Sequence, residues 1–501
     1  MKRVAIIGGG ISGLVHAHVL GKNGLEPVVF EQSKRVGGVW SLAYPGVRLQ
    51  NVDFQYHLSD LPWPSQPHFH PSGEQIREYW EHVAAKLDVR LETEVISTEP
   101  HDGGWRVTTR RGGETQVDQF DYLIAAIGQY TNGKYRPTFA GEEQFRGPIS
   151  TEREVRELES FKGQRVVVVG FGKSALDMAT LAAEQGAQVH HVFRTPRWTL
   201  PQKLLGLHSS WFIFNRFGSV MMTSWSHPTR LERFLHGPLA PVVQAFWRML
   251  AWVVRWHCER EANGHGEEGL SRVRQVLPSH PLLPDLRSAT ALLPHSYMGL
   301  VARGQIVPHH TELASFDETS VTLKNSKKLE CDRVVLSVGS EQPRFPFFPA
   351  AIRELLEAEN DGVQLYRHLL HPRIEKLGFA GYNHGFLHVP AAEVGAQWLA
   401  CVWNGTLELP SVEEMEQSVD RVRAWKRANI AFEPSRSCAI NTRYQQYLDI
   451  LLNELGVSPY RKLPNVIAEV FARYGAVDYA GVTEQVLKRG PEKRRALPLD
   501  A

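Results

Sequence analysis

The sequence predicts an α/β protein with two Rossmann-like dinucleotide-binding domains and a helical insertion in the second. Three observations predict it. A continuous β-branched run, a glycine turn and a helical pattern stand in that order at residues 4–22, and the same order returns at 166–184. Between about 200 and 293 strand signals give way to Trp, Phe, Met, His and Pro. The 501 residues favour two or three domains of roughly 100 to 200 residues each. They divide into a first nucleotide domain over 1–150, a second over 151–330 that carries the insertion, and a return to the first domain with a helical C-terminal region over 331–501.

Val4, Ala5, Ile6 and Ile7 read as a buried strand because they are apolar without alternation. Ile11–Lys22 is the helix that follows, and 28–30 the next strand. Residues 74–87 read as a helix opened by a capping box of Ser72 and Gln75, and 105–109 and 122–127 as strands. The second βαβ unit is strand 166–169, helix Lys173–Glu184 and strand Gln188–Phe193. Residues 333–338 repeat the strand-then-glycine pattern of 122–128, so each segment is a candidate to finish one domain. Ser411 and Glu414 form a further capping box for a helix reaching about Arg427. No internal repeat is expected beyond the two βαβ units.

The 56 Lys+Arg against 54 Asp+Glu leave a formal net charge of +2, without the field a nucleic-acid binder uses. The basic run at 488–495 reads as a solvated terminus. Cys258, Cys331, Cys401 and Cys438 form no C-x-x-C pair, which excludes a disulfide framework and a dithiol centre and points to a reducing, cytoplasmic compartment. The 22 histidines include His190-His191 and His309-His310 but no ligand spacing, so no metal is expected. The strand pattern starts at once after Arg3, which argues against a signal peptide. No stretch reaches the roughly 20 apolar residues of a spanning helix. The nearest, 239–258, is interrupted by Arg248 and Arg255. With Phe246, Trp247, Met249, Trp252 and Trp256 it reads first as a core helix, second as a substrate-channel wall, third as a membrane contact with snorkelling arginines.

Gly8-Gly9-Gly10-Ile11-Ser12-Gly13 is a G-x-G-x-x-G between strand and helix. Gly8 allows the tight turn, Gly10 lets backbone approach a pyrophosphate, Gly13 lets helix and strand pack closely, and the helix N-terminus supplies N–H groups. Glu31 ends the second strand where a carboxylate can bond ribose hydroxyls. Gly170-Phe171-Gly172-Lys173-Ser174-Ala175 is the second copy, with Ala175 in the third glycine's place. Its strand runs into Arg194-Thr195-Pro196-Arg197, and cations there suit the 2′-phosphate of NADP. A P-loop reading fails because Val167 stands where its first glycine is needed. An acid-ending site followed by an arginine-ending one points to FAD in the first and NADPH in the second, hence hydride transfer to a flavin.

With these motifs the chain resembles the class B flavin-dependent monooxygenases, specifically the flavin-containing monooxygenase family and most closely its plant-type branch. Glu31-Gln32-Ser33 followed by Gly37-Gly38-Val39-Trp40 is similar to the family's second FAD contact, and 49–51 through 58–64 to its flavin-side loop. Ala126-Ile127-Gly128-Gln129 and Ser337-Val338-Gly339 resemble its two linking turns. His371-Pro372-Arg373 to Gly381, then Glu393 to Trp398, resemble the return to the FAD domain. Arg436-Ser437-Cys438 and 474–479 resemble the plant-type C-terminus.

The resemblance implies that NADPH reduces FAD, that oxygen adds to the flavin as a C4a-(hydro)peroxide, and that one oxygen passes to a nitrogen or sulfur of a small molecule. It also implies that Asn51 faces the reactive flavin. Two departures stand out. Phe145 and Gly147 match the family fingerprint, but Thr151 occupies its histidine's place and Val155 that of the aromatic or hydrophobic residue that follows in it. Tyr44-Pro45-Gly46-Val47-Arg48 is similar to a Baeyer–Villiger motif, but Gln50 replaces the aspartate that follows there. Ketone oxygenation, an oxidase or reductase releasing peroxide, and a non-catalytic redox sensor are the competing readings. A homodimer is the commonest assembly of such enzymes.

Overall fold

The computed structural model describes the chain apart from residues 131–132, 223–227, 289–290, 384, 431–439, 441–442, 491–492 and 497–501. Arg436-Ser437-Cys438 lies outside the described residues. From the N-terminus run β1 (Arg3–Ile7), α1 (Ile11–Lys22), β2 (Glu26–Phe30), α2 (Gly73–Ala84) and β3 (Val89–Arg90). An antiparallel meander of β4 (Glu94–His101), β5 (Gly104–Arg111) and β6 (Glu114–Phe120) leads to β7 (Tyr122–Ala125). The second unit holds β8 (Ile149–Thr151), β9 (Arg165–Val169), α3 (Lys173–Glu184) and β10 (Gln188–Phe193). After the insertion come β11 (Ile306–His310), the meander β12 (Leu313–Phe316), β13 (Ser320–Leu323) and β14 (Lys328–Glu330), then β15 (Arg333–Leu336). Strand β16 (Leu377–Phe379) follows later in the chain.

The first sheet orders as β16-β7-β1-β2-β3 and the second as β8-β15-β9-β10-β11, all parallel. Position for position the two sheets have one plan, each with a meander inserted before its closing strand. The repeat therefore extends well past the βαβ units, contrary to expectation. Meander strands alternate polar and apolar faces, so their resemblance lies in pairing and leaves little trace in residue identity. The shared plan differs at one edge, which a late segment (β16) supplies in the first sheet and an early one (β8) in the second. Strands of the second sheet thus reach from 149 to 336, past the expected limits at 151 and 330.

Alternation along β1 sorts its side chains to two layers. Val4 and Ile6 pack with Ala17 and Leu20 of α1, whereas Ala5 and Ile7 pack with Trp105 and Val107 of the meander. In β9, Val166 and Val168 meet α3 through Ala175 and Ala179, and Val167 meets the other meander through Leu313 and Phe316. Both faces of each sheet are covered, which is why these strands are uniformly apolar. Helix α2 carries the expected capping box but ends at Ala84, not 87, because tight turns at Lys86 and Leu87 lead into β3.

The insertion is closed at its base by a parallel pair, Thr199–Leu200 with Ala291–Leu292. It holds a short hairpin (Lys203–Leu204 with Leu207–His208) and several helices, of which α4 (Ala240–Arg260) is the longest and α5 (Leu282–Ser288) the nearest to the cleft described below. Helix α4 is core on one face only: Val243, Trp247, Val254 and Cys258 are buried, while Val242, Met249 and Trp252 are 59%, 57% and 63% exposed. No helix among the described residues is long and apolar enough to cross a membrane. Farther on, α6 (His388–Trp403) is buried along nearly its whole length and packs on α1.

Candidate functional site

Both glycine turns open onto one interdomain cleft of about 1470 Å³. Gly8 adopts φ +115 and a Cβ there would lie 2.5 Å from the Ala126 carbonyl oxygen; Gly170 adopts φ +125 and its Cβ would lie 2.2 Å from the Ser337 carbonyl oxygen. In each unit, the residue after the strand beside the turn clamps it, so only glycine fits. Around Gly172 nothing stands within 4 Å of an added Cβ, and at Gly10 the nearest atom is Gly38 Cα at 3.7 Å. The second glycines therefore leave backbone accessible to a ligand, while Gly13 and Ala175 are packed against their turns. This arrangement fits a dinucleotide pyrophosphate on each helix N-terminus.

Glu31 is buried at the end of β2, where Oε2 accepts the Gly9 N–H at 2.7 Å and Oε1 the Ser33 N–H at 2.8 Å. The carboxylate is thereby locked beside the first turn and still lines the cleft. Gly38 approaches Gly10 closely, and Trp40 donates Nε1–H to the Tyr56 hydroxyl at 2.9 Å. Gly128, with φ +72, lies on the turn after β7, and Gln129 ties that turn to the Gly381 carbonyl at 3.1 Å. All line the cleft.

On the second unit Gly170, Gly172, Ser174, Arg194 and Arg197 line the same cleft. Arg194 is exposed and has no ion pair among the described residues. Asn51 donates Nδ2–H to the Phe386 carbonyl oxygen, and the adjacent Gln50 accepts the Leu292 N–H through Oε1 at 2.9 Å. One short loop thus binds the C-terminal return and the base of the insertion. All expected site residues except Gly13, which is packed beneath its turn, line the cleft.

Sequence reasoning missed several groups here. Tyr44 donates its hydroxyl to Asp177 Oδ2 at 2.7 Å, and Asp177 also pairs with Lys173, so the segment around Tyr44 is latched to α3. Burial and the Asp177 carboxylate push the Tyr44 hydroxyl well above its ordinary pKa. Glu152 is buried, pairs with Lys134 and lines the cleft beside Arg153. The unexpected Thr151 caps the turn that carries both, with its N–H and hydroxyl donating to Glu154. His191, read as unremarkable, braces the second glycine turn: Nε2 bonds the Gly170 carbonyl at 2.7 Å and Nδ1 the Tyr297 hydroxyl at 2.7 Å. It lies on β10, the strand that pairs with β9 beside the turn, and no local spacing in the sequence links it to Gly170. Nothing in the sequence links Tyr44 to Asp177.

No group of His, Cys, Asp and Glu among the described residues is arranged to hold a metal. Cys258, Cys331 and Cys401 are buried free thiols.

A family model described as FMO-like, flavin-binding monooxygenase-like, matches residues 1–237 and 248–469. "Probable flavin-containing monooxygenase 1" of Arabidopsis thaliana is 28% identical, covering 95% of this chain and 96% of that protein. "Dimethylaniline monooxygenase [N-oxide-forming] 2" of Macaca mulatta is 27% identical over 91% of this chain and 83% of its own length. Among solved structures, cyclohexanone monooxygenase from Rhodococcus sp. Phi1 bound to NADP+ has a similar fold, with TM-score 0.63, 16% identity and coverage of 99% of both chains.

Proposed function

We propose, from the premise that the chain belongs to the flavin-binding monooxygenase-like family and is a flavin-dependent monooxygenase, that it oxygenates a nitrogen or sulfur centre of a small molecule. Its cofactors are FAD and NADPH. The net reaction is substrate + O2 + NADPH + H⁺ giving oxygenated substrate, NADP⁺ and water. When bound, FAD supplies the electron path from NADPH to O2 and the oxygen-transfer chemistry.

The observation that carries this reading is one cleft bordered by two complete dinucleotide cradles, with Asn51 and Gln50 beside it. In it Gly8, Gly10 and Glu31 hold FAD, with Gly13 packing the turn from beneath and Gly38, Trp40 and Gly128 in support. Gly170, Gly172, Ser174, Arg194 and Arg197 hold NADPH. Asn51 is oriented by its bond to Phe386 and presents its amide to the flavin side. Leu286, Ala291 and Phe386 contribute apolar surface that excludes water, which slows loss of the oxidant to peroxide. A soft nucleophile needs no general base, and Gln50, engaged with Leu292, puts no carboxylate where the ketone-oxygenating motif has one. Both points favour amines and sulfides over ketones.

The described residues from 228 to 258 contain one acid, Glu232, and it is buried. Arg230, Arg233 and Arg248 are exposed there among Leu231, Phe234, Val242, Met249, Trp252 and Trp256. This surface suits an anionic lipid interface, with apolar side chains at the acyl boundary and arginines at headgroups. A second copy would bring the same cations against themselves. We read this face as a contact with the membrane surface from a reducing, cytoplasmic side.

The test is turnover under ¹⁸O2 with NADPH and a panel of tertiary amines, thioethers and cyclic ketones. One labelled oxygen in an N- or S-oxide per NADPH consumed is expected. A labelled lactone would establish ketone oxygenation instead, and stoichiometric hydrogen peroxide with every substrate would establish an oxidase.

A further inference from the structure

Behind the Leu49-Gln50-Asn51 loop two imidazoles meet edge to edge. His70 Nδ1 lies 3.0 Å from the Leu49 carbonyl oxygen and 2.9 Å from that of Asn51. Its Nε2 lies 2.9 Å from His208 Nε2, and His208 comes from the hairpin of the insertion. His208 Nδ1 lies 3.2 Å from the Ser210 backbone nitrogen and 2.8 Å from its hydroxyl, which accepts from Arg473 Nη1 at 3.1 Å.

The proton order of this chain follows from its two ends. Backbone carbonyls only accept, so His70 Nδ1 carries hydrogen and its Nε2 is bare in the neutral ring. A backbone N–H only donates, so His208 Nδ1 is bare and its Nε2 carries hydrogen. The two deductions are independent and agree at the junction, where His208 Nε2–H donates to His70 Nε2. A second proton on either ring would remove an acceptor the chain needs: on His70 it would set two N–H groups face to face, and on His208 it would face the Ser210 N–H. Burial opposes that proton at both rings, Lys173 and His68 add to it at His70 and Arg473 and Lys203 at His208, while the Leu49 and Asn51 carbonyls work the other way at His70. Burial and these cations lower both rings, His208 to about 4.

We propose that His208 and His70 are positioning residues, a hydrogen-bonded chain of fixed polarity by which the insertion holds the backbone of the Leu49-Gln50-Asn51 loop and so aims Asn51 into the cleft. The proposal rests on the reading that Asn51 faces the flavin. It gives the insertion a role in coupling. His70 is buried, so the loop it holds has no water to replace the imidazole as donor.

The experiment compares His208→Leu, which removes the donor, with His208→Gln, whose amide can supply an N–H near the Nε2 position, with Asn51→Ala as reference. In ¹⁵N-histidine NMR of the full chain at neutral pH, His70 should be the Nδ1–H tautomer and His208 the Nε2–H tautomer. In His208→Leu, His70 should become a tautomer mixture and titrate closer to the ordinary imidazole range. In turnover, His208→Leu should raise the fraction of NADPH oxidation that ends in hydrogen peroxide by about tenfold, within the roughly 100-fold that misplacing an oriented group can cost. Anaerobic flavin reduction by NADPH should change less than about twofold, and His208→Gln should restore coupling.

An Nε2–H tautomer at His70, or a His70 signal indifferent to His208→Leu, overturns the proposal. So does His208→Leu remaining coupled while Asn51→Ala uncouples. If Asn51→Ala stays coupled, the reading of Asn51 fails, and the NMR result still decides whether the chain holds the loop.

Discussion

At the scale of single residues, the most consequential groups are those whose charge state burial dictates. Arg194 is the opposite case, an exposed cation at the end of β10 that is available to an anionic ligand. Arg194→Glu should raise KM for NADPH about 10- to 100-fold, the worth of one charged hydrogen bond, with kcat within about twofold. Steady-state kinetics checks this, and an unchanged KM removes Arg194 from the cofactor site. Glu393 on α6 is buried, with Oε1 accepting the Ser59 hydroxyl at 2.9 Å and its N–H at 3.1 Å; burial pushes its carboxyl up to about 8. A folded-state value above the unfolded one means stability present below about 4.5 and lost as pH rises towards 8. Glu393→Gln should therefore gain melting temperature over the parent at pH 8 more than at pH 6, and melting curves that shift equally at both would show Glu393 ionised throughout.

At the scale of elements, the helices of the two nucleotide units end where local chemistry says they should. Ile11–Lys22 and Lys173–Glu184 match the expected limits, because each begins at a glycine turn and its apolar positions pack against a strand already defined. Helix α4 behaves differently. Periodicity marked it as apolar but could not say which apolar face turns inward, and Trp252 and Trp256 end up outside, 6.4 Å apart and stacked. Sedimentation with vesicles tests the lipid reading of that face. Binding to phosphatidylglycerol vesicles, weak binding to phosphatidylcholine, and loss of binding in the Trp252→Ser, Trp256→Ser double variant are expected. Equal recovery of the protein in the supernatant with both vesicle types would refute a membrane contact.

For the whole molecule, buried neutral histidines set the acid limit of stability. His16 and His191 are fully buried, and burial lowers both to about 4 from the ordinary 6.5. Unfolded chains bind those protons between about pH 6.5 and 4 and folded ones do not, so stability falls as pH drops through that window. Each contributes on the order of 3 kcal/mol across it. His208, His309 and His371 shift in the same direction, against the carboxyls of Glu393 and Asp449, which burial raises. Thermal unfolding should therefore give a clearly lower melting temperature at pH 5 than at pH 7. Equal values would mean that these imidazoles gain water or a counter-charge in the folded state.

The amino-acid sequence by itself determined the two βαβ units, their glycine turns, the acid at Glu31, the arginines after β10 and the capping boxes at Ser72 and Ser411. Each is a local feature, decided by residues within one or two turns of chain and by the shape a pyrophosphate or a helix end requires. Tertiary structure alone decided the edge strands β8 and β16, the Tyr44–Asp177 latch, the His70–His208 chain and the outward face of α4. These join residues from 133 to more than 200 positions apart, as with Tyr44 and Asp177 or Gln50 and Leu292. Hydrogen bonds across such distances depend on how the domains pack, and a single sequence carries no periodicity or spacing from which that packing can be read.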